Sequence, residues 1–256
     1  MKKTLALLLS LAFLALCSAC GNDRGASSSG GAGENTEKRA SRFASVAAGD
    51  VVTFGSYEQD NNPDNGPEPI EWIVLEVKDG KALLLSRYGL DAIPYNTEEA
   101  EVTWETCTLR KWLNSDFLGR AFSGEEQACI LTAEVDNGPG QGYGEWSASG
   151  GNNTQDKLFL LSFREANRYF GVKHYHEDDG KNTVSRMAPT AYAIAQGAWA
   201  DAECFTADGS RAGLWWLRSP GSDQYCASSV DFSGPLWYVS VTNGENCVRP
   251  AFWLDL

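Results

Sequence analysis

The chain has 256 residues, of which 43% are hydrophobic, and it carries a formal charge of −13 at pH 7. Nine tryptophans and this apolar fraction are enough to build the core of one soluble domain. The negative charge would repel phosphates, so it argues against nucleic acids and anionic lipid headgroups as partners. It also keeps a protein soluble, which is the simpler account of it.

The N-terminus has the organisation of a secretory signal peptide. Two lysines precede an apolar run over residues 5–16, and small residues follow it. The small residues stand directly before Cys20, as in a bacterial lipobox, although Cys17 occupies the position that usually holds Leu. We predict that residues 1–19 are a signal peptide and that Cys20 is lipidated, with ordinary secretion as the alternative.

Residues 20–48 form the next segment, which is rich in Gly, Ser and Ala and has little apolar content. Such a composition is typical of a flexible tether. The remainder, residues 49–256, is predicted to be a single domain. The sequence therefore predicts a protein on the extracytoplasmic face of the cell membrane that contacts the membrane through its N-terminal lipid only.

The domain begins with signals for an antiparallel sheet and then for helices. Two apolar runs, over 69–77 and 81–86, are joined by Asp79-Gly80, which predicts a hairpin. Apolar residues three to four apart then predict a helix over 104–117, with Thr103 as its N-cap.

Two later segments have the spacing of a capping box, Ser123 with Glu126 and Ser162 with Glu165. Each predicts the start of a short helix. We also expect a buried strand over 157–161 and a helix over 189–197. Four further runs predict strands, at 214–218, 227–232, 236–241 and 247–254. Strands at both ends with helices between them indicate an α+β fold with antiparallel sheets and a few short helices.

Five cysteines remain in the predicted mature domain. Their number is odd and none has C-x-x-C spacing, so neither a zinc site nor a full disulfide framework is indicated. Cys226 and Cys247 lie in separate predicted strands and form one pairing that the sequence leaves open. Free buried thiols are the favoured interpretation. The five are Cys107, Cys129, Cys204, Cys226 and Cys247.

A series of motifs resembles a bacterial surface-protein family catalogued as a domain of unknown function, number 6273. The motifs lie, in order, at 49–55, 69–75, 109–117, 156–162, 215–221 and 248–253. The motifs after Gly213 are also similar to C-type-lectin-like domains, including the variable proteins of diversity-generating retroelements. This second resemblance implies a C-type-lectin-like fold whose N- and C-terminal strands pair, with a ligand face between Trp215 and Val248.

The stretch after Gly213 carries the candidate ligand face. Alternation along a strand places Trp216 and Arg218 on the same side, which predicts that one tryptophan of the Trp215-Trp216 pair is partly exposed. Aromatic rings beside polar groups are what carbohydrate or protein recognition uses. The candidate ligand-binding residues are Trp216, Arg218, Asp223, Gln224, Tyr225, Asp231, Trp237, Tyr238 and Asn243. The alternative is a core strand pair with a solvated loop, in which Arg218 and Arg249 form structural salt bridges.

Two clusters have weak metal-site character. His174 and His176 share one side of an extended chain and are followed by carboxylates, but a metal site needs further ligands from elsewhere. The loop from Asp60 to Glu71 has oxygen ligands at calcium-loop spacing, but Asn65 stands where such a loop needs Gly. We therefore expect no cofactor; calcium remains the less favoured option.

No sequence motif supports catalysis, because the chain lacks a G-x-S-x-G elbow and its two histidines lie in a polar insertion. We expect a non-catalytic, lipid-anchored protein that binds a glycan or a protein outside the cell. One alternative is an extracytoplasmic enzyme that acts on a cell-wall or carbohydrate substrate with metal near His174 and His176. Another is a structural envelope domain.

Overall fold

The computed structural model describes most of the domain predicted from the sequence. The predicted signal peptide, Cys20 and nearly all of the predicted tether lie outside the described residues. Within the described residues, no helix is both long enough and apolar enough to cross a membrane. The structure describes residues 43, 45–144, 147–178, 180 and 182–256.

The first large sheet is antiparallel and has five strands in the order β1-β2-β3-β14-β5. Asp79 and Gly80, with φ angles of 51° and 73°, form the turn between β2 and β3, as predicted. The strands are β1 (Val51–Tyr57), β2 (Glu68–Lys78), β3 (Lys81–Ser86), β14 (Ala251–Asp255) and β5 (Ile130–Leu131).

The expected pairing of the first and last strands is wrong. β1 pairs with β2, whereas β14 pairs with β3 and β5. The reason is that the β2–β3 hairpin lies between them. β1 pairs with the outer edge of β2, and β14 pairs with the outer edge of β3. The first and last strands therefore share one sheet without being neighbours.

The second large sheet has the order β12-β11-β10-β13-β4, and its pairs are antiparallel except for the parallel pair β10–β13. β10 lies at the centre of this sheet and β12 at one edge. The strands are β12 (Leu236–Ser240), β11 (Cys226–Val230), β10 (Trp215–Pro220), β13 (Cys247–Val248) and β4 (Asp91–Ala92).

The chain passes from the second sheet to the first between β13 and β14. The strand predicted over 247–254 is broken there, because Pro250 has no backbone N–H with which to continue a ladder. Gly89 lies on the opposite crossing, between β3 and β4. A Cβ atom at Gly89 would lie 2.5 Å from the Cβ of Cys247, so the two crossings pack too closely for any side chain there.

Two small antiparallel sheets complete the β structure. They pair β6 (Ala133–Val135) with β7 (Thr154–Asp156), and β8 (Ala200–Phe205) with β9 (Arg211–Gly213). The segment 157–161 was predicted to be a buried strand; it is buried, but it does not form a strand. Its leucines are buried, yet pairing is limited to an isolated bridge between Phe159 and Ala251.

The helices are short. Both predicted capping boxes are present, and the second helix they start ends at Gly171 in the left-handed conformation. The cap predicted at Thr103 is wrong, because the helix begins at Thr108 after a turn over 104–106. The helices are α1 (Thr108–Trp112), a π-helical segment (Leu113–Phe117), α2 (Leu118–Ala121), α3 (Gly124–Cys129), a 3₁₀ turn (Pro139–Gln141), α4 (Phe163–Phe170) and α5 (Ala191–Ala195).

All five cysteines of the domain carry free thiols, so the pairing of Cys226 with Cys247 left open by the sequence is not formed. Cys247 is fully buried, whereas Cys226 is half-buried, as is Cys204. The core is therefore held by side-chain packing among the described residues.

Candidate functional site

The central strand β10 is buried along its whole length. Trp216 has no exposed surface, and its indole N–H donates to the carbonyl of Ile93 at 3.0 Å. Trp215 is equally buried and donates to the carbonyl of Ser185 at 3.1 Å. The expectation that one of the two tryptophans is exposed is therefore wrong, and Trp216 lies inside the protein, away from any external ligand.

Arg218 is also inside the protein, with 3% of its surface exposed. Its guanidinium pairs with both carboxylate oxygens of Glu165 and donates to the carbonyls of Leu160 and Asp136. These contacts fix the chain before α4 against β10. Arg218 is thus a structural ion-pair residue, which was the alternative that the sequence left open, and its placement on a ligand face is corrected.

The edge strand β12 presents the aromatic residues that do reach the surface. Trp237 is 45% exposed, and Tyr238 is half-buried beside it. The segment around His174 runs along the free edge of this strand. The backbone N–H of Leu236 donates to the carbonyl of Lys173 at 2.7 Å, and the N–H of Tyr175 donates back to Leu236 at 3.3 Å. This pairing brings two separate sequence predictions, the aromatic face and the histidine pair, into one place.

Ring contacts join this segment to β12. Tyr143 stacks on His174 with centroids 4.3 Å apart and planes 11° apart. Tyr175 packs against Trp237 at 4.3 Å and against His176 at 3.8 Å. The result is a continuous aromatic surface.

Two depressions open on this surface, with volumes of about 470 Å³ and 320 Å³. Tyr175 lines both, so we treat them together as the aromatic groove. The larger depression is lined by Tyr143, His174, Tyr175, His176, Ser222 and Tyr238. The smaller is lined by Tyr175, Asp178, Gly180, Asp231, Ser233, Pro235 and Trp237. The lining of the groove therefore combines aromatic rings with polar side chains.

Hydrogen bonding and burial set the chemistry of the groove. The hydroxyl of Tyr143 donates to Glu177 at 2.7 Å, which raises the pKa of Tyr143. Burial lowers the pKa of His174, and the proximity of His176 acts in the same direction. The buried hydroxyl of Tyr238 makes no hydrogen bond of ordinary geometry.

Four of the predicted residues do not line the groove. Asp223 accepts the N–H of Tyr225 at 2.9 Å, and Asn243 accepts the N–H of Glu245 at 2.8 Å. Gln224 donates to the carbonyl of Ser149, and Tyr225 is exposed outside both depressions. Of the nine predicted ligand residues, the groove brings together Asp231, Trp237 and Tyr238.

The carboxylates closest to metal-site spacing lie elsewhere. Among the described residues, the group with suitably close ligand atoms is Glu58, Asp60 and Glu68, in and beside the loop that resembled a calcium loop. Backbone and side-chain amides already use these oxygens; Asp60, for example, accepts the N–H of Asn62 at 2.8 Å. Within the part of the chain that is described, the two histidines have no third ligand at metal spacing.

The sequence interpretation missed Tyr143, Tyr175 and Ser222. Tyr143 lies in the glycine-rich segment 138–144. A single aromatic ring among glycines was the one sequence feature that could have indicated its role. Tyr175 lies between the two histidines, so the aromatic character of this segment was visible without a metal. Nothing in the sequence places Ser222 beside the histidine segment, because that contact depends on tertiary packing.

Comparison with known proteins gives one family. The family model described as Domain of unknown function (DUF6273) matches residues 79–256, which include β3 to β14 and all the groove residues. The sequence motifs at 49–55 and 69–75 lie before the matched region. No curated protein and no solved structure matches the chain.

Proposed function

We propose that this chain, which belongs to the DUF6273 family, is a non-catalytic binding protein that holds a carbohydrate in the aromatic groove. One observation carries the proposal: an exposed tryptophan and several partly exposed rings line two depressions that share Tyr175 and that polar side chains border. An aromatic surface exposed in this way is unusual on a soluble domain unless it binds something.

The chemistry of the groove favours a sugar. A pyranose ring has a flat face of C–H groups that packs on an aromatic ring, while its hydroxyls need donors and acceptors at the edges. Trp237 and Tyr175 supply the rings, and Asp231 and Ser222 supply hydrogen bonds. The carboxylates Asp178 and Asp231 and the net charge of −13 favour a neutral sugar over an anionic one.

In this proposal the histidines contribute to the shape of the binding surface and have no catalytic or metal-binding role. His174 is stacked on Tyr143, and its Nδ1 atom accepts the backbone N–H of His176 at 3.4 Å. In this arrangement the imidazole forms a wall of the groove. The C-type-lectin-like character of the fold and the position outside the cell, anchored through lipidated Cys20, belong to the same proposal and are supported by the sequence.

Binding of the purified full chain to a glycan array tests the proposal, with Trp237→Ala and Tyr225→Ala measured alongside. Tyr225 is the matched control, because it is as exposed as Trp237 but lies outside the groove. We expect selective binding to a neutral glycan that Trp237→Ala weakens at least about tenfold and Tyr225→Ala leaves unchanged. No binding by the folded chain, or equal losses in both variants, would overturn it.

The anchoring is tested separately by fractionating cells that express the chain or its Cys20→Ser variant. We expect the chain in the membrane fraction and the variant in the soluble or secreted fraction. If both chains partition alike, Cys20 does not carry the anchor.

A further inference from the structure

A third cavity, of about 290 Å³, lies apart from the aromatic groove and shares no lining residue with it. It opens beside Arg249, where the chain crosses between the two large sheets. Three arginines and one carboxylate, Asp208, contribute to the lining, in a chain whose net charge is −13. Arginines therefore outnumber carboxylates in the lining of this cavity.

Arg249 is 2% exposed, and its guanidinium lies over two aromatic rings, 4.7 Å from the centroid of Trp215 and 5.2 Å from that of Phe170. Its Nε atom donates to the carbonyl of Ser86 at 3.0 Å. Its Nη1 atom is buried and has no hydrogen-bond partner. The aromatic rings attract the positive charge but offer no lone pair to accept these protons.

The charge of Arg249 persists at neutral pH. Burial lowers the pKa of Arg249 to about 9, with Cys247 opposing the shift. A buried guanidinium that is charged and only partly hydrogen-bonded is costly unless an acceptor is supplied. Arg218 shows the usual solution, since its buried guanidinium pairs with Glu165 and only its Nε atom lacks a partner.

The other two arginines of the cavity are already engaged. Arg87 pairs with Glu71 at 2.8 Å and with Asp208 at 3.5 Å. Arg186 donates to the carbonyls of Ser233 and Phe205. Of the three arginines that line this cavity, Arg249 is therefore the one with an unpartnered donor that a ligand could satisfy.

We propose that this cavity binds a small organic carboxylate whose head group pairs with Arg249 and whose apolar body packs against the cavity wall. A carboxylate oxygen would accept a charge-assisted hydrogen bond from the unpartnered Nη1 atom of Arg249. Phe170, Tyr88, Met187 and Val184 line the wall, and apolar walls favour an organic acid over inorganic phosphate. The cavity volume of about 290 Å³ lies just below the range of about 300–1,000 Å³ that small-molecule sites have, so the ligand is small.

Thermal unfolding of the full chain at constant ionic strength tests this proposal. The probes are sodium benzoate and sodium phenylacetate, with benzyl alcohol as the neutral counterpart and inorganic phosphate as the second anion. We expect a saturable rise in the unfolding midpoint with at least one carboxylate and none with benzyl alcohol or phosphate. No rise with either carboxylate, or an equal rise with phosphate, would overturn the proposal.

Two variants locate the site. Val184 is 66% exposed and lines the cavity, so Val184→Trp should block it without disturbing the core, and affinity for the carboxylate should fall at least tenfold. Val77→Trp, at a half-exposed position away from the cavity, is the matched control and should bind normally. Arg249→Met should abolish the response; if it does not fold, Val184→Trp still decides. Undiminished binding by Val184→Trp would contradict the assignment.

Discussion

Two pairs of adjacent aromatic residues lie in the same sheet but differ in solvent exposure. Trp215 and Trp216 on β10 are fully buried, whereas Trp237 and Tyr238 on β12 are exposed and half-buried. β10 is central in the sheet, and β12 is an edge strand. The comparison teaches that the position of a strand in its sheet, more than its composition, decides whether an aromatic pair builds core or surface.

The burial of both tryptophans on β10 follows from cover on both faces of that strand. Trp215 contacts Phe170 of α4 edge-on at 6.4 Å, and Trp216 contacts Tyr95 at 5.6 Å on the other side. A strand covered on both faces has no solvent side, so alternation no longer separates core from surface positions.

The largest loss is expected for Trp216→Ala. Removing a fully buried indole leaves a cavity and an unpaired carbonyl at Ile93, which should cost about 3–5 kcal/mol of unfolding free energy. Urea denaturation measures this loss. Trp199→Ala, at a tryptophan 48% exposed, is the control and should change stability by no more than about 0.5 kcal/mol. Similar losses in the two variants would show that Trp216 is not core.

The next largest loss is expected when the ion pair between Arg218 of β10 and Glu165 of α4 is broken. Glu165→Gln keeps a residue able to complete the capping box of α4 but removes the negative charge that pairs with buried Arg218. We expect a loss of about 1.5–3 kcal/mol, since hydrogen bonds to charged groups contribute in this range. Glu99→Gln, at an exposed acidic position, controls for charge alone. An equal, small effect of both substitutions would return Arg218 to the candidate ligand residues.

The third prediction uses the titration of His174, whose pKa is lowered in the folded state, chiefly by burial. The unfolded chain therefore binds a proton more readily, and stability should fall as pH drops below about 6.5, the ordinary value for histidine. His174→Phe keeps a ring against Tyr143 and should flatten this part of the pH dependence, measured by urea denaturation from pH 7 to pH 5. His176→Phe, which retains His174, should keep most of the slope. An unchanged slope in His174→Phe would contradict the burial of a neutral imidazole.

The smallest loss of stability is expected for Trp237→Ala on the edge strand. Because almost half of this side chain is exposed, the cost should be no more than about 1 kcal/mol, while the affinity for carbohydrate falls at least about tenfold. Urea denaturation and glycan binding on the same preparation separate the two effects. A loss of stability as large as that of Trp216→Ala would make Trp237 a core residue and remove the contrast between β10 and β12.

Local signals in the sequence predicted local structure well. Asp79-Gly80 and the capping box at Ser162 specify their turn and helix start through neighbouring atoms alone, and both are present. Thr103 failed as a cap because its backbone is tied to the following turn, where its carbonyl accepts the N–H of Thr106. The strand break at Pro250 was readable, since proline cannot donate to a ladder.

The candidate site was predictable only in part. Trp237, Tyr238 and Asp231 were identified from their aromatic and polar character. The docking of His174 beside Leu236, more than sixty residues later in the chain, depends on backbone pairing that no local pattern encodes. The same limit explains Arg218, whose partner Glu165 lies 53 residues away.

The most direct test of the contrast between the two aromatic pairs is fluorine NMR of the full chain labelled with 5-fluorotryptophan. Resonances are assigned by single Trp→Phe variants, and the carbohydrate with the strongest array signal is then titrated. We expect the Trp237 resonance to shift with saturation while those of Trp215 and Trp216 stay in place. A fixed Trp237 resonance at saturating carbohydrate, with Trp215 or Trp216 shifting instead, would contradict the assignment of the groove.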